Sequence, residues 1–223
     1  MSMLKLLLAV LVSGIASAQS PDVPPDPVEQ QEDTHILGVV PNYDAVETPK
    51  PFQPISSGEK FKIAAEDSFD PFSWGITGVY AGWQQWNHQD REFGQGVAGF
   101  SKRYGALFAD QAIGNYMTEA VMPTWLHEDP RYFRLGTGTF WKRMGYALTR
   151  VLVTRTDANR ERFNTSEIAG NMIGAAIGDL YHAPSERSFG EVTERFAISV
   201  AGDCGFDVLK EFWPDMKHKF FKK

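Results

Sequence analysis

Residues 168–178 read IAGNMIGAAIG, and the glycines at 170, 174 and 178 fall along one edge of any helix drawn through them. Glycine costs about 0.5–1 kcal/mol per helical position relative to alanine, so three in one helix require a contact that only bare backbone permits. Glycine at every fourth position is common where helices touch in bilayers. A membrane span, however, needs roughly 20 apolar residues. Here Ile168 to Ile177 is bracketed by Glu167 and Asp179 and interrupted by Asn171, while Arg150, Glu119 and Asp110 interrupt the other helical stretches. The reading that remains is close helix packing in a water-compatible domain. FSWGITGVYAGWQQW (72–86) sets Gly75, Gly78 and Gly82 between Trp74, Trp83 and Trp86, and is the expected partner whose rings fill the space the glycines leave.

Local start and stop signals divide the chain into helices. Ser56 with Glu59, Asn164 with Glu167 and Ser188 with Glu191 have capping-box spacing. Asp70-Pro71 is a cap followed by proline at the first helical position. The longest element is expected at 100–122, ended by Pro123; another helix at 139–153 follows the loop LHEDPRYFRLGTGT, and TRTDANRERF (154–163) is expected as a charged turn. HAPSER (182–187) breaks the glycine helix, and the last helix is expected to run towards Pro214. No alternating pattern is long enough for a sheet. The fold class is therefore all-α, a compact bundle of about five to six helices with close glycine-mediated packing.

The N-terminus has the three parts of a secretory signal: Lys5, the apolar run Leu6 to Val12, and Ala16-Ser17-Ala18. Residues 1–18 are read as that signal. Residues 19–34 hold four prolines, five acids and no base, and are expected as a disordered arm. HILGVVPNYDAV (35–46) reads as a lone strand or extended strap docking on the domain, TPKPFQP (48–54) as a linker, and 56–223 as a single helical domain. The lone cysteine, Cys204, excludes an intramolecular disulfide, so an exported chain of this kind depends on its core.

Two groups of polar residues carry the chemical expectations. With Glu167 at zero on a helical wheel, Gly178 falls at about 20°, Asn171 at about 40° and His182 at about 60°. Asn115 and Glu119 repeat the idea one turn apart in the long helix, where AIGNYMTEA weakly echoes IAGNMIGAA. Glu119 and Glu167, with Asn115, Asn171 and His182, are candidates to converge on a substrate, or on a divalent metal held by Glu119, Glu167 and His182. A buried carboxyl among them would suit general acid or base chemistry. The loop HEDPRYFR adds His127 as a further catalytic candidate. The plainer account of all these groups is a satisfied polar network and helix caps.

The formal charge of −6 becomes −7 once Lys5 is removed, which argues against nucleic acid, as does export. Between Arg131 and Arg162 eight bases face two acids. Arg131, Arg134, Arg143 and Arg150, with the C-terminal KHKFFKK, are candidate contacts to an anionic membrane surface or an envelope protein. Enzyme signatures are poor. Ser57-x-x-Lys60 lacks its companion Lys-Thr-Gly motif, Gly136-Thr-Gly138 follows no strand, and no cofactor motif occurs.

At HILGVVPNY, FGQGVAGFSKRYGALFAD, GNYMTEAVMPTWLHEDPRYFR, FNTSEIAGN and VLKEFWPD the chain resembles a family of uncharacterised secreted bacterial proteins, over nearly all of residues 19–223. The glycine helix also looks loosely like small helical cell-envelope proteins. The resemblance implies a single exported domain and brings no activity or catalytic residue. The expectation is an exported, periplasmic or outer-membrane-associated helical protein with a structural or binding role; the competing one is an envelope hydrolase working through interior carboxylates.

Overall fold

The computed structural model describes residues 34–47, 52–182 and 187–220. The signal, most of the acidic arm, residues 48–51 and 183–186, and the Phe221, Lys222 and Lys223 end lie outside them. Helices dominate: α1 (Ser57–Phe69), α2 (Pro71–Trp86), α3 (Gly96–Asn115), α4 (Met122–Leu126), α5 (Phe140–Arg150), α6 (Thr165–Gly178) and α7 (Phe189–Phe220). The caps follow the sequence. Ser56 and Glu59 close a complete capping box on α1, Asp70 accepts from Phe72 N at 2.7 Å ahead of Pro71, and Asn164 accepts from Glu167 N at 3.1 Å.

The expectation of a chain without a sheet is corrected. Among the described residues seven strands of two to four residues make three small sheets, each strand too short for an alternating pattern to register. The strap forms a hairpin of β1 (His35–Ile36) and β2 (Val40–Pro41), and its β3 (Ala45–Glu47) pairs in parallel with β5 (Tyr132–Arg134). The expected charged turn is a hairpin, β6 (Val153–Thr156) with β7 (Glu161–Phe163), and β6 also pairs with β4 (Glu128–Asp129). His35 Nε2 and Tyr43 Oη both lie 2.8 Å from Asp70 Oδ2, tying the strap to the start of α2.

Both expected proline stops are passed. A π-helical stretch, Tyr116–Val121, joins α3 to α4, and Met122 N–H reaches back five residues to Met117 O. That extra residue moves Pro123 into the first turn of α4, where no amide donor is required. Pro214 sits inside α7 and leaves the carbonyl of Lys210 without its helical donor; Arg134 Nε supplies one at 2.5 Å. With Pro214 absorbed, α7 reaches 32 residues and is longer than α3.

The glycine edge faces a different neighbour from the one expected. A Cβ on Gly170 would lie 2.9 Å from Thr118 Cγ2 and 3.0 Å from the Met117 carbonyl carbon, and one on Gly174 would lie 3.5 Å from Gly114 Cα. α6 therefore abuts α3 and the π-helical stretch, backbone to backbone. The rings of α2 turn outward instead: Trp74, Trp83 and Trp86 are 48%, 60% and 83% exposed. Trp125 and Trp141 are also exposed, so five of the six tryptophans face outward and only Trp213 is buried.

The interior is correspondingly polar. The largest fully buried side chains are Arg103, Lys60, Ile36, Glu128, Glu211, Asp129, Pro123 and Ser68. Each buried charge in this set is tied down. Arg103 donates to the carbonyls of Gln89, Asp90 and Gly94, holding the loop before α3. Lys60 Nζ donates to Glu128 O at 2.7 Å, Asp157 Oδ1 at 2.8 Å and Pro123 O at 3.3 Å. These bonds account for Lys60 structurally, and the amides of Leu135 and Gly136 are likewise taken by Glu211.

Candidate functional site

A cavity of about 710 Å³ runs between α1, α3, α6, α7 and the strap. Asn115, Glu119, Glu167, Asn171 and His182 all line it, and so do Asp44, Asp67, Asp203, Asp207 and Lys210. The π-helical stretch positions Glu119; the tight contact at Gly170 brings α6 close enough for Glu167 and Asn171 to share the same space. On α7 the i, i+4, i+7 spacing of Asp203, Asp207 and Lys210 puts all three on one face.

Within the cavity the carboxyls pair with one another. The Glu119 carboxyl neighbours that of Asp67, and the Glu167 carboxyl that of Asp203, each pair able to form a hydrogen bond. Two carboxylates bond only when one carries a proton. Asn171 Nδ2 donates to Glu167 Oε1 at 2.7 Å and to Asp203 Oδ2 at 3.1 Å, clamping the second pair. Lys210 Nζ donates to Asp44 Oδ2 at 2.6 Å. Desolvation dominates the protonation of these carboxyls. It pushes Asp67 up to about 7, with Asp44 repelling and Lys210 opposing. Desolvation likewise carries Asp207 up to about 7. Glu119 and Glu167 are raised well above the usual range by desolvation, and then by their neighbours Asp67 and Asp203. Lys210 is driven the other way from what burial alone would do, its charge reinforced by Asp44 and Asp207.

The remaining candidates have other partners. His182 lies beyond the end of α6, and its Nε2 is 2.7 Å from Asp110 Oδ2, with Tyr181 Oη 2.5 Å from Asp110 Oδ1. The proposed metal set therefore divides: His182 joins Asp110, Glu119 joins Asp67 and Glu167 joins Asp203. Among the described residues no group of three or more His, Cys, Asp or Glu side chains is placed to hold a metal ion. His127 sits outside the cavity with its side chain 83% exposed, 3.8 Å from Asp157.

Of the arginines read as a surface patch, Arg131, Arg134 and Arg143 have an acid or carbonyl inside the fold, while Arg150 pairs with an exposed acid. Arg143 Nε donates to Glu211 Oε1 at 2.7 Å and Nη1 to Asp215. Arg134 is 5% exposed, Arg131 is held by Asp129 at 2.8 Å, and Arg150 pairs with Glu161 at 3.0 Å. Sequence reasoning missed Asp44, Asp67, Asp203, Asp207 and Lys210. The face shared by the three residues of α7 was a usable signal; Asp44 and Lys210 meet only through the tertiary fold. Comparison of the chain with protein-family models, with curated proteins and with solved structures finds no match.

Proposed function

We propose that the protein is an exported cell-envelope component that seats its apolar exterior against lipid and keeps its polar groups inside. On this reading the helices form a compact bundle held by close packing at Gly170, Gly174 and Gly178, and the N-terminal pattern Lys5, Leu6–Val12, Ala16-Ser17-Ala18 supports export to a periplasmic or outer-membrane-associated site. The observation that carries the proposal is the inverted distribution of side chains: buried Arg103, Lys60, Glu128 and Glu211 against exposed Trp74, Trp83, Trp86, Trp125 and Trp141. Exposed apolar residues lie on α2, α4, α5, α6 and α7, so one protein partner on one face would leave many uncovered, whereas a lipid layer meets several at once.

Magnitudes favour apolar seating over charge attraction. Five tryptophans of about 200 Å² each, half transferred from water at about 25 cal/mol per Å², yield on the order of 10 kcal/mol. A basic side chain near an anionic surface contributes about 1 kcal/mol, and Arg134 and Arg143 are buried. Among the described residues no helix is long and apolar enough to cross a membrane. The proposed seat is interfacial.

Flotation with vesicles tests it. The protein is expected to float with phosphatidylcholine vesicles as well as with phosphatidylglycerol-containing ones, to stay bound in molar salt, and to lose binding in Trp83→Gln/Trp86→Gln. Binding that needs phosphatidylglycerol and is released by salt would sink the apolar seat, and a soluble homo-oligomer that shields these tryptophans would replace it. One observation favours a second reading, an envelope hydrolase acting on lipid or glycan: carboxyls that keep a proton near neutrality are suited to general acid catalysis.

A further inference from the structure

Asp44 lines the cavity, is 6% exposed, and among the described residues uses only one carboxylate oxygen: Oδ2 accepts from Lys210 Nζ, while Oδ1 is buried with no hydrogen-bond partner there. An acceptor buried in that way is unfavourable unless something donates to it. The same cavity gathers Asp67, Glu119, Glu167, Asp203 and Asp207 around Lys210. Of the four arginines on the lining, Arg131, Arg150 and Arg195 are bonded to Asp129, Glu161 and Asp179, and Arg155 donates to Asn159 with its guanidinium over the Phe133 ring, so four cations with Lys210 as a fifth face a larger number of lining acids.

We propose that this cavity binds a second ammonium group, beside that of Lys210, which donates to Asp44 Oδ1 and to the Asp67–Glu119 pair. The class of cation follows from three observations. Lys210 shows that an ammonium is accommodated here and that Asp44 accepts from it at 2.6 Å. A metal is disfavoured by the absence of a three-ligand set among the described residues. A space of about 710 Å³ is also far larger than a single ion and fits an organic molecule. An ammonium has three donors and no acceptor, which suits a wall of carboxyl oxygens.

The lining also includes Ile76, Tyr80, Ile198 and Phe206, which are 50%, 41%, 52% and 39% exposed, so the cavity reaches the surface past apolar side chains. A primary amine can arrive there as the head of a long-chain amphiphile or as a free polyamine. Both present the same group to Asp44.

Calorimetric titration of the purified protein with dodecylamine, spermidine and dodecyltrimethylammonium tests the inference. Dodecylamine is expected to bind with one site and to weaken at least tenfold in Asp44→Asn. Dodecyltrimethylammonium, which has the same chain but no N–H donor, is expected to bind at least tenfold more weakly than dodecylamine. Spermidine binding as tightly as dodecylamine identifies the free polyamine as the source, with the same dependence on Asp44. Should Asp44→Asn fail to fold, Glu119→Gln carries the comparison, because its amide copies a protonated carboxyl in shape. Absence of binding by both amines, equal binding of the quaternary compound, or affinity unchanged in both variants would overturn the proposal. Vesicle flotation is a separate readout, so this inference can fail while the lipid seat stands, and the reverse.

Discussion

Lys210 and Glu211 are adjacent on α7, yet they serve opposite arrangements of buried charge. Glu211 is fully buried, and both of its oxygens are saturated. Oε2 accepts from Tyr132 Oη and Leu135 N, and Oε1 from Gly136 N and Arg143 Nε, all within 3.0 Å. Arg143 completes the hub with Asp215 and with Phe212, whose ring centroid is 4.6 Å from the guanidinium carbon. Lys210 faces the cavity, where five further acids surround its pair with Asp44 and four of them stand in neighbouring pairs, Glu119 with Asp67 and Glu167 with Asp203. In the hub, charge is matched and acts as scaffold. In the cavity, negative charge exceeds its partners, and the surplus is available to a proton or a ligand.

The largest effect expected from this contrast is in the hub. Glu211→Gln removes the charge that answers Arg143 and replaces one acceptor oxygen with an NH₂ facing donors. Breaking a buried ion pair from one side costs about 3–5 kcal/mol. Chemical denaturation is expected to report a loss in that range, with an unchanged m-value. A loss below about 1 kcal/mol, the worth of an exposed pair, would mean that the hub is not a scaffold.

Lys60 gives a slightly smaller test of the same idea. Lys60→Met keeps the stem and removes the ammonium, leaving the carbonyls of Glu128 and Pro123 without that donor. Each unsatisfied buried acceptor costs about 1–3 kcal/mol, and water entering from the Asp157 side recovers part of it, so a loss of about 2–3 kcal/mol is expected in the same denaturation assay. An equally stable variant would show that matched charge here is incidental.

The two regions also differed in how far they could be read from the sequence. Helix starts at Ser56, Asp70 and Asn164 were legible because a cap is a contact between residues three or fewer apart. The glycine edge was legible as an edge, but periodicity says which face is bare and not what meets it; hence α2 was misplaced as its partner. Pro123 and Pro214 misled because their compensations, a π-helical stretch and Arg134, are structural. In the cavity Glu119, Glu167 and Asn171 stood out through their glycine-flanked turns. The hub was invisible, because Tyr132, Arg143 and Glu211 are far apart in the chain and each alone resembles a surface residue.

Titration sharpens the contrast at the next magnitude down. Asp67 and Asp207 have ordinary values near 3.8 and are raised to about 7 in the fold. A raised acid contributes stability that is fully present below its unfolded value, near 4, and is lost as pH rises through about 7. Asp70 is lowered by its bonds from His35, Tyr43 and Phe72, which outweigh desolvation, so its contribution is lost only under strong acid. Between pH 5 and 8 the cavity therefore sets the trend. Its ideal slope is about 1.4 kcal/mol per pH unit per proton; solvent in the cavity reduces this, and a fall of about 2 kcal/mol over the window is expected. The thermal midpoint should drop from pH 5 to pH 8 in the native protein and drop less in Asp207→Asn. A midpoint that rises with pH would place the cavity acids among ordinary paired carboxylates.

The smallest expected change is the most discriminating. Glu119→Gln makes the same chemical replacement as Glu211→Gln, in a helical residue, within the same polar interior. At Glu119 burial and the neighbouring Asp67 already favour the protonated carboxyl, and an amide keeps its shape, supplies a permanent donor and removes one negative charge. The two-state stability should therefore change by less than about 1 kcal/mol at pH 6, an ordinary surface-sized effect. At pH 8 the variant should be the more stable protein, because the repulsion that builds up in the native cavity on deprotonation no longer arises. If Glu119→Gln proved as damaging as Glu211→Gln, Glu119 would be a matched scaffold residue. The surplus of negative charge assigned to the cavity, and the ammonium it is proposed to attract, would then lose their basis.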